Sequence, residues 1–209
     1  MARELPLRCA CGSVTGVATD VDPDRGNRLV CMCDDCQAYA HWLDRADAIL
    51  DQNGGTEVFQ LTPAQVRITA GREHVRCLRL SPKGLMRWYA GCCNTPIANT
   101  LDRPRLPFLG MPHTFMDHAS DGRSRDEALG PVLTRINARY GKPPLAADSH
   151  ARAPMWLILR AIRQLLRGWF AGAHSPSPVF DDAGEPIVEP TVISLDERQR
   201  LRGLVARSD

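Results

Sequence analysis

The sequence lacks the large excess of positive charge that nucleic-acid-binding proteins carry. Its 26 Lys and Arg residues nearly balance 24 Asp and Glu residues, which leaves a net charge of +2 at pH 7. Because binding to a phosphate backbone depends on concentrated positive charge, this balance argues against nucleic acid as a bulk partner. We therefore expect no nucleic-acid partner.

The first residues also lack an apolar segment of the kind that directs secretion. The stretch MARELPLRCACGSV has neither an apolar core nor a small-residue cleavage site, so we expect a cytoplasmic protein in a reducing compartment. With 209 residues, 44% of them hydrophobic, the chain can bury a core without disulfide staples. Its eight cysteines are therefore predicted to bind metal or to perform chemistry.

The cysteines fall into three groups and one isolated residue. The first group is Cys9 and Cys11, the second is Cys31, Cys33 and Cys36, the third is Cys92 and Cys93, and the isolated residue is Cys77. A disulfide inside so short a loop would be strained. Two cysteines separated by one residue can instead bind a single ion at the ~2.3 Å of a zinc–sulfur bond. Thiolate ligands favour zinc, with iron as a rival.

The first group supplies half of a tetrahedral shell. A closed structural zinc site needs two further ligands, and the stretch AGCCNTP at 90–96 is the obvious source. Such a site would join the start of the chain to its middle. The alternative is that Cys9 and Cys11 are buried thiols without a metal.

The second group, in the stretch CMCDDC, supplies three ligands from one loop. Three protein ligands with a fourth position left for water or substrate are typical of a catalytic zinc site. The alternative is a closed site completed by Cys77, by His41 or by a carboxylate such as Asp34. We therefore expect two zinc ions, one in a closed site and one in a site that can be open.

Three stretches, RCACGSV at 8–14, CMCDDC at 31–36 and RWYAGCCNTPIANT at 87–100, carry a resemblance to a known family. They resemble the glutathione-dependent formaldehyde-activating family, which shares a domain with centromere protein V. The first two match the family's Cys-x-Cys-Gly and Cys-x-Cys-x-x-Cys residue for residue. In the third, Ala90 stands where the family has the first cysteine of Cys-x-x-Cys-Gly-Thr-Pro-Leu, and Asn94 replaces the glycine. The resemblance covers about residues 7–110.

The resemblance implies a β-rich fold of the kind called a β-tent, with one structural and one catalytic zinc ion. Carried over by position, Cys9, Cys11 and Cys93 would hold the structural ion and the second group the catalytic ion. For the fourth structural ligand we expect Cys92, because a turn can bring two adjacent cysteines to one ion although an extended strand does not.

The remaining sequence is typical of a mainly β core with appended helices, an α+β chain overall. We expect a helix over 38–55, a strand, a turn and a strand over 57–71, and a hairpin over 74–91. Residues 1–120 are predicted to form the zinc-binding β-tent domain. Residues 121–209 are predicted to form an extension of helices and a small hairpin, with a capped last helix starting near Ser194.

A basic amphipathic helix is predicted at about 155–170 in this extension. Its apolar residues recur at helical spacing on one side and arginines fall on the other. The segment is too short and too charged to span a bilayer. We expect the apolar side to pack on its own domain; a membrane surface and a protein partner are the alternatives. The oligomeric state does not follow from the sequence.

We predict from these features a zinc-dependent carbon–sulfur lyase acting on a thiol adduct, of the glutathione type, of a small aldehyde, or on a related thioether. In this hypothesis Cys31, Cys33 and Cys36 are zinc ligands rather than nucleophiles, and Asp34 or Asp35 orients the site or moves a proton. One alternative is a non-catalytic, zinc-stabilised module that binds a partner or a membrane surface through its C-terminal helix, and another is a redox thiol protein.

Overall fold

The computed structural model of the chain describes residues 4–22 and 26–205, which form a mixed α+β fold with a sheet-rich core. The strands in these residues are β1 (Leu5–Arg8), β2 (Thr15–Ala18), β3 (Asn27–Cys31), β4 (Thr56–Leu61), β5 (Val66–Ala70), β6 (Val75–Arg79), β7 (Met86–Ala90), β8 (Thr95–Thr100), β9 (Leu109–Pro112), β10 (Arg135–Ile136), β11 (Ser149–His150) and β12 (Thr191–Val192). The α-helices are α1 (Asp34–Trp42), α2 (Ala46–Ile49), α3 (Arg125–Leu129), α4 (Met155–Phe170) and α5 (Leu195–Arg202).

Nine strands form one sheet in the order β11-β10-β3-β4-β9-β8-β7-β6-β12. The six strands from β3 to β6 in this order pair antiparallel, whereas the short strands at the two edges pair parallel with their neighbours. The edge strands β10, β11 and β12 all come from the part of the chain after residue 120. The predicted extension thus adds strands to both edges of the sheet, and a domain boundary at residue 120 stays a prediction.

The main core lies between this sheet and a smaller antiparallel sheet in the order β1-β2-β5. Side chains alternate faces along a strand, so β1 turns Leu5 and Leu7 inward. They belong to one buried cluster with Phe59 and Trp88 of the large sheet. Burying these large apolar side chains is the main source of stability for the pair of sheets.

Helices α1, α2 and α5 cover the opposite face of the large sheet. Leu43 at the end of α1, Leu201 of α5 and Leu78 of β6 belong to a second buried cluster. The alternation along β7 decides which side chains reach each core: Trp88 enters the main core, whereas Arg87 turns towards α1. A charged side chain is thereby buried beneath the first helix.

Two predicted elements differ from the structure in their detail. The strand, turn and strand predicted over 57–71 are confirmed, but β4 and β5 lie in different sheets. Pro63 starts a 3₁₀ turn at which the Thr62 amide donates to the Gln65 side chain (2.9 Å), and the chain changes sheet there. The single helix predicted over 38–55 is wrong, because Asp44 adopts a left-handed conformation (φ 54°) that separates α1 from α2.

The predicted hairpin, amphipathic helix and helix cap are confirmed. β6 and β7 pair antiparallel across a turn in which the Gly84 amide donates to the Ser81 carbonyl. Helix α4 spans the predicted residues, and the Ser194 hydroxyl caps α5 by accepting from the Glu197 amide (3.1 Å). In the described residues, no helix is both long and apolar enough to cross a membrane.

We expect Trp88→Ala to lower the free energy of unfolding by about 3–5 kcal/mol, because it leaves a cavity in the main core. Trp88 is 0% exposed, its indole N–H donates to the Thr100 hydroxyl (2.9 Å), and its ring packs edge-on against Phe180. Urea unfolding measures the loss. The control is Trp169→Ala on the surface of α4, which should stay within about 0.5 kcal/mol of the wild type. Equal losses in both variants would contradict this description of the core.

Candidate metal centres

Four cysteines from two turns that are distant in the chain lie together, and we call them the four-cysteine cluster: Cys9, Cys11, Cys92 and Cys93. Their Sγ atoms all lie within 4.8 Å of one another. Cys11 is 3.3 Å from Cys92 and 3.5 Å from Cys9 between sulfurs. The cluster joins the hairpin of β1 and β2 to the turn between β7 and β8.

Local backbone conformation brings the adjacent cysteines of the second turn to one side. The Ala90 carbonyl accepts from the amides of both Cys93 and Asn94, which closes a tight turn after β7. Asn94 has a φ of 56°, a left-handed conformation that asparagine tolerates better than most residues. A hydrogen bond from the Ala10 amide to the Thr95 hydroxyl (3.0 Å) holds the two turns together.

The four thiols differ in their readiness to ionise. Hydrogen bonding with Ser13 lowers the pKa of Cys11 to about 6, whereas partial burial, followed by hydrogen bonding to Cys11, raises the pKa of Cys92 to about 12. Neighbouring thiols cannot all lose their protons without a cation to balance them. The cluster is therefore suited to exchange its protons for a metal ion.

The second set, Cys31, Cys33 and Cys36, lies where β3 passes into α1, and we call it the three-cysteine cluster. Cys31 ends β3, Cys33 is the N-cap of α1, and its sulfur accepts a hydrogen bond from the Cys36 amide (3.4 Å). The Asn137 side-chain amide donates to the Cys31 sulfur (3.4 Å). The start of α1 also favours negative charge at this point, because helix N-termini carry a partial positive charge.

The buried guanidinium of Arg87 faces the three-cysteine cluster from β7. One of its nitrogens lies 4.0 Å from the Cys36 sulfur and 3.3 Å from the Asn99 side-chain oxygen. The guanidinium also lies over the Tyr39 ring, at 5.0 Å from the ring centroid. A buried charge is costly unless it is paired, so Arg87 requires negative charge on this cluster.

This environment favours one thiolate over three. Hydrogen bonds with Cys31 and Cys33, together with the charge of Arg87, hold the pKa of Cys36 well below its usual range. The hydrogen bond with Cys33 favours ionisation of Cys31, but the bond with Cys36 and burial outweigh it and raise the pKa of Cys31 to about 12. Because bound thiols must lose their protons, metal affinity at this cluster rises with pH.

Cys77, His41 and Asp34, the residues considered as a fourth ligand, do not belong to the three-cysteine cluster. Within the described residues, the group of ligand atoms that lie within 4.8 Å of one another contains the three cysteines alone. Cys77 is buried in the main core, and His41 lies in the last turn of α1. The Asp34 carboxylate accepts from the Asp35 amide and lies 3.5 Å from Arg202 of α5. The assignment of a catalytic role to Asp34 stays a prediction.

Sequence reasoning missed Arg87, Asn137 and Tyr39. Arg87 alternates with Met86 and Trp88 along β7, which indicates that it points away from the main core, but only the position of α1 makes that second face buried. Asn137 lies 106 residues after Cys31 in the chain, and no rule of motif spacing predicts contact between them.

Comparison with known proteins assigns the chain to a family. A family model described as "Family of unknown function (DUF6151)" matches residues 1–191. The chain belongs to this family. No curated protein matches the chain.

This result corrects the resemblance drawn from the cysteine motifs. The model that spans the chain is that of DUF6151, so the assignment to the glutathione-dependent formaldehyde-activating family is wrong. The motifs misled because short cysteine pairs at this spacing reflect the geometry of metal binding, which unrelated families share. The implications for glutathione and formaldehyde lose their support with it, whereas the two cysteine clusters do not depend on it.

We expect the protein, purified under reducing conditions, to contain two metal ions per chain. Cys36→Ala and Cys92→Ala should each lower the content to one ion, because each removes a ligand from a different cluster. Cys77→Ala is the matched control and should retain both ions, since Cys77 lies in the main core. Elemental analysis gives the count. One ion in both the wild type and Cys36→Ala would contradict a metal site at the three-cysteine cluster.

We expect Arg87→Met to raise the pKa of Cys36, because it removes the positive charge that favours the thiolate. Below its pKa the thiol is protonated and unreactive, so the variant's alkylation profile should move to higher pH, with a severalfold slower rate at neutral pH. Peptide mass spectrometry of metal-free protein treated with iodoacetamide measures this rate at Cys36. The control is Arg79→Met, since Arg79 pairs with Asp102 instead. An unchanged profile would remove Arg87 from the account of this cluster.

Proposed function

We propose that the chain is a zinc-dependent enzyme that forms or breaks a carbon–sulfur bond at the three-cysteine cluster. One observation carries this proposal. The three thiols lie within 4.8 Å of one another, and among the described residues no fourth Cys, His or carboxylate joins that group. A tetrahedral ion with three protein ligands keeps one position for substrate. Zinc is the metal proposed for both clusters, since thiolates are soft ligands. We also propose that the fold is a zinc-bound β-tent, which the two sheets around the main core and the two cysteine clusters support.

The electrostatics of the cluster favour a sulfur-containing substrate. Three thiolates around a divalent ion carry one net negative charge, which the buried guanidinium of Arg87 balances. A centre already rich in thiolate is matched to a soft sulfur donor better than to a hard oxygen. Zinc held there would lower the pKa of a substrate thiol at its free position, so that the sulfur is ionised at neutral pH.

The reaction proposed is the addition of a thiol to a small aldehyde and its reversal. In the addition, the substrate sulfur forms a bond to the carbonyl carbon while the carbon–oxygen π bond breaks. The oxygen then takes up the proton that the thiol lost, so nothing is oxidised or reduced. Asp34, at the start of α1, is the chain's proposed proton carrier, and the three cysteines stay ligands throughout.

The test combines a binding measurement with a rate. In protein reconstituted with cobalt, added 2-mercaptoethanol should change the visible spectrum of the three-cysteine cluster, because the thiol takes the free position. In zinc-loaded protein, exchange-resolved NMR should show faster exchange between 2-mercaptoethanol, acetaldehyde and their adduct. Cys36→Ser should lose both effects, and Cys77→Ala should keep both.

A cobalt spectrum that does not respond to the thiol, together with exchange at the uncatalysed rate, would overturn the enzyme proposal. Faster exchange that persists in Cys36→Ser would show that the three-cysteine cluster is not the site. A spectral response without faster exchange would support thiol binding only and would contradict the proposed reaction.

A second candidate function is a non-catalytic, zinc-stabilised binding module. The apolar face that α4 turns to solvent favours it, because a large exposed apolar patch is typical of a surface that binds a protein or a membrane. The two candidates are separable, since the face of α4 and the three-cysteine cluster are made of different residues.

A further inference from the structure

Helix α4 presents its apolar side to solvent and its more polar side to the protein. The exposed apolar residues of this helix, which we call the apolar stripe, are Met155, Trp156, Ile158, Leu159, Ile162, Leu166, Trp169 and Phe170. The prediction that this side packs on its own domain is therefore wrong. An amphipathic helix that only served the core would be turned the other way.

Hydrogen bonds and a glycine hold the helix in this orientation. Arg160 donates to the Asn27 side-chain oxygen (2.6 Å), and the Asn27 side-chain amide donates to Gln164 (2.6 Å). One turn further along, Gly168 lies so close to Pro107 that a Cβ there would come within 3.0 Å of it. The orientation is thus fixed by specific contacts on the inward side.

The apolar stripe is larger than a monomer usually exposes. Trp156 is 47% exposed, Trp169 59% and Phe170 81%. At roughly 200 Å² for each side chain, these three alone leave on the order of 350 Å² in water. The five aliphatic residues add to this area, so the stripe exceeds the few hundred Å² that isolated soluble proteins leave contiguous.

Exposed arginines lie along both sides of the apolar stripe. Arg163 and Arg167 line a groove on one side of α4, and Arg103 and Arg105 line a groove on the other side together with Trp169. Among the ion pairs formed by the described residues, none involves these four arginines. The chain from 149 to 180 contains no Asp or Glu. The patch is therefore apolar in its centre and positive at its edges.

We propose that α4 docks this protein on an anionic membrane surface, with the apolar stripe among the acyl chains and the four arginines at the level of the headgroups. An interfacial helix needs an apolar face, basic residues beside it and aromatic residues at the boundary, and α4 combines all three. Its 16 residues lie flat over a length of about 24 Å at 1.5 Å per residue. Each arginine near such a surface strengthens binding about fivefold.

A second copy of the chain fits this patch less well. Pairing two stripes would place arginines of one copy beside arginines of the other, because positive charge borders the stripe on both sides. The helix itself carries no acid with which to balance them. Like charges brought together at an interface oppose association.

The test uses the full chain with its metals and vesicles of phosphatidylcholine with or without phosphatidylserine. We expect cosedimentation with the anionic vesicles, weakened by salt because screening reduces the attraction. Tryptophan fluorescence should shift to shorter wavelength on binding, and Trp156→Phe combined with Trp169→Phe should remove the shift while binding remains. Arg163→Gln combined with Arg167→Gln should weaken binding about 25-fold, at about fivefold for each arginine.

Ile162→Glu should abolish vesicle binding, because it places a charge in the centre of the apolar stripe. Leu195→Glu is the matched control, because Leu195 is an exposed aliphatic residue of the same size as Ile162 but lies at the start of α5, outside the apolar stripe. This substitution should not affect binding. Both variants should retain the wild-type metal content and circular dichroism spectrum. This readout does not depend on the chemistry proposed for the three-cysteine cluster.

Three results would overturn the proposal. Equal binding to neutral and anionic vesicles would remove the role of the arginines. Absence of vesicle binding by a protein that dimerises, with a dimer that Ile162→Glu dissociates, would assign the stripe to a second copy. Absence of vesicle binding by a monomer would show that the membrane is not the occupant and leave a protein partner as the class to pursue.

Discussion

The crowding of thiols is the constraint on which much of this structure depends. Seven cysteines lie in two clusters, and within each cluster the sulfurs are within 4.8 Å of one another. So many thiolates cannot coexist at that distance without cations. The four-cysteine cluster joins segments that are far apart in the chain, whereas the three-cysteine cluster lies within one continuous stretch. The four-cysteine cluster joins the small sheet to the large one, and the three-cysteine cluster fixes α1 on β3. A metal ion in each cluster would hold the small sheet and α1 to the large sheet.

The two clusters differ in how their charge is balanced. The four-cysteine cluster is partly open to solvent and has its hydrogen bonds mainly with Ser13, Thr95 and its own members. The three-cysteine cluster lies beneath α1, where a helix N-terminus and the buried guanidinium of Arg87 both favour negative charge. A complete set of ligands suits a structural ion, and an incomplete set with its own counter-charge suits one that exchanges a ligand. This contrast is the physical basis for placing chemistry at one cluster and not at the other.

Helix α4 separates two properties that usually go together, amphipathic sequence and burial of the apolar face. Its inward positions are Leu157, which is buried, and the polar or small residues Arg160, Gln164 and Gly168. The buried Leu157, hydrogen bonds and close backbone approach therefore attach it to the protein, and the large side chains of the apolar stripe contribute little to the fold of the described residues. The metal clusters lie elsewhere, so a surface function of α4 and a chemical function of the three-cysteine cluster can coexist in one chain.

The sequence by itself determined the elements whose cause is local. Spacing within CMCDDC predicted three sulfurs from one loop, Ser194 predicted a helix cap, and the period of the apolar residues at 155–170 predicted a helix. The pairing of Cys9 and Cys11 with Cys92 and Cys93 could be predicted because two incomplete ligand sets need each other. Tertiary structure alone decided which way α4 faces, that Arg87 is buried beside Cys36, and that β4 and β5 enter different sheets. Those features depend on contacts between residues far apart in the chain, and neither periodicity nor motif spacing carries information about them.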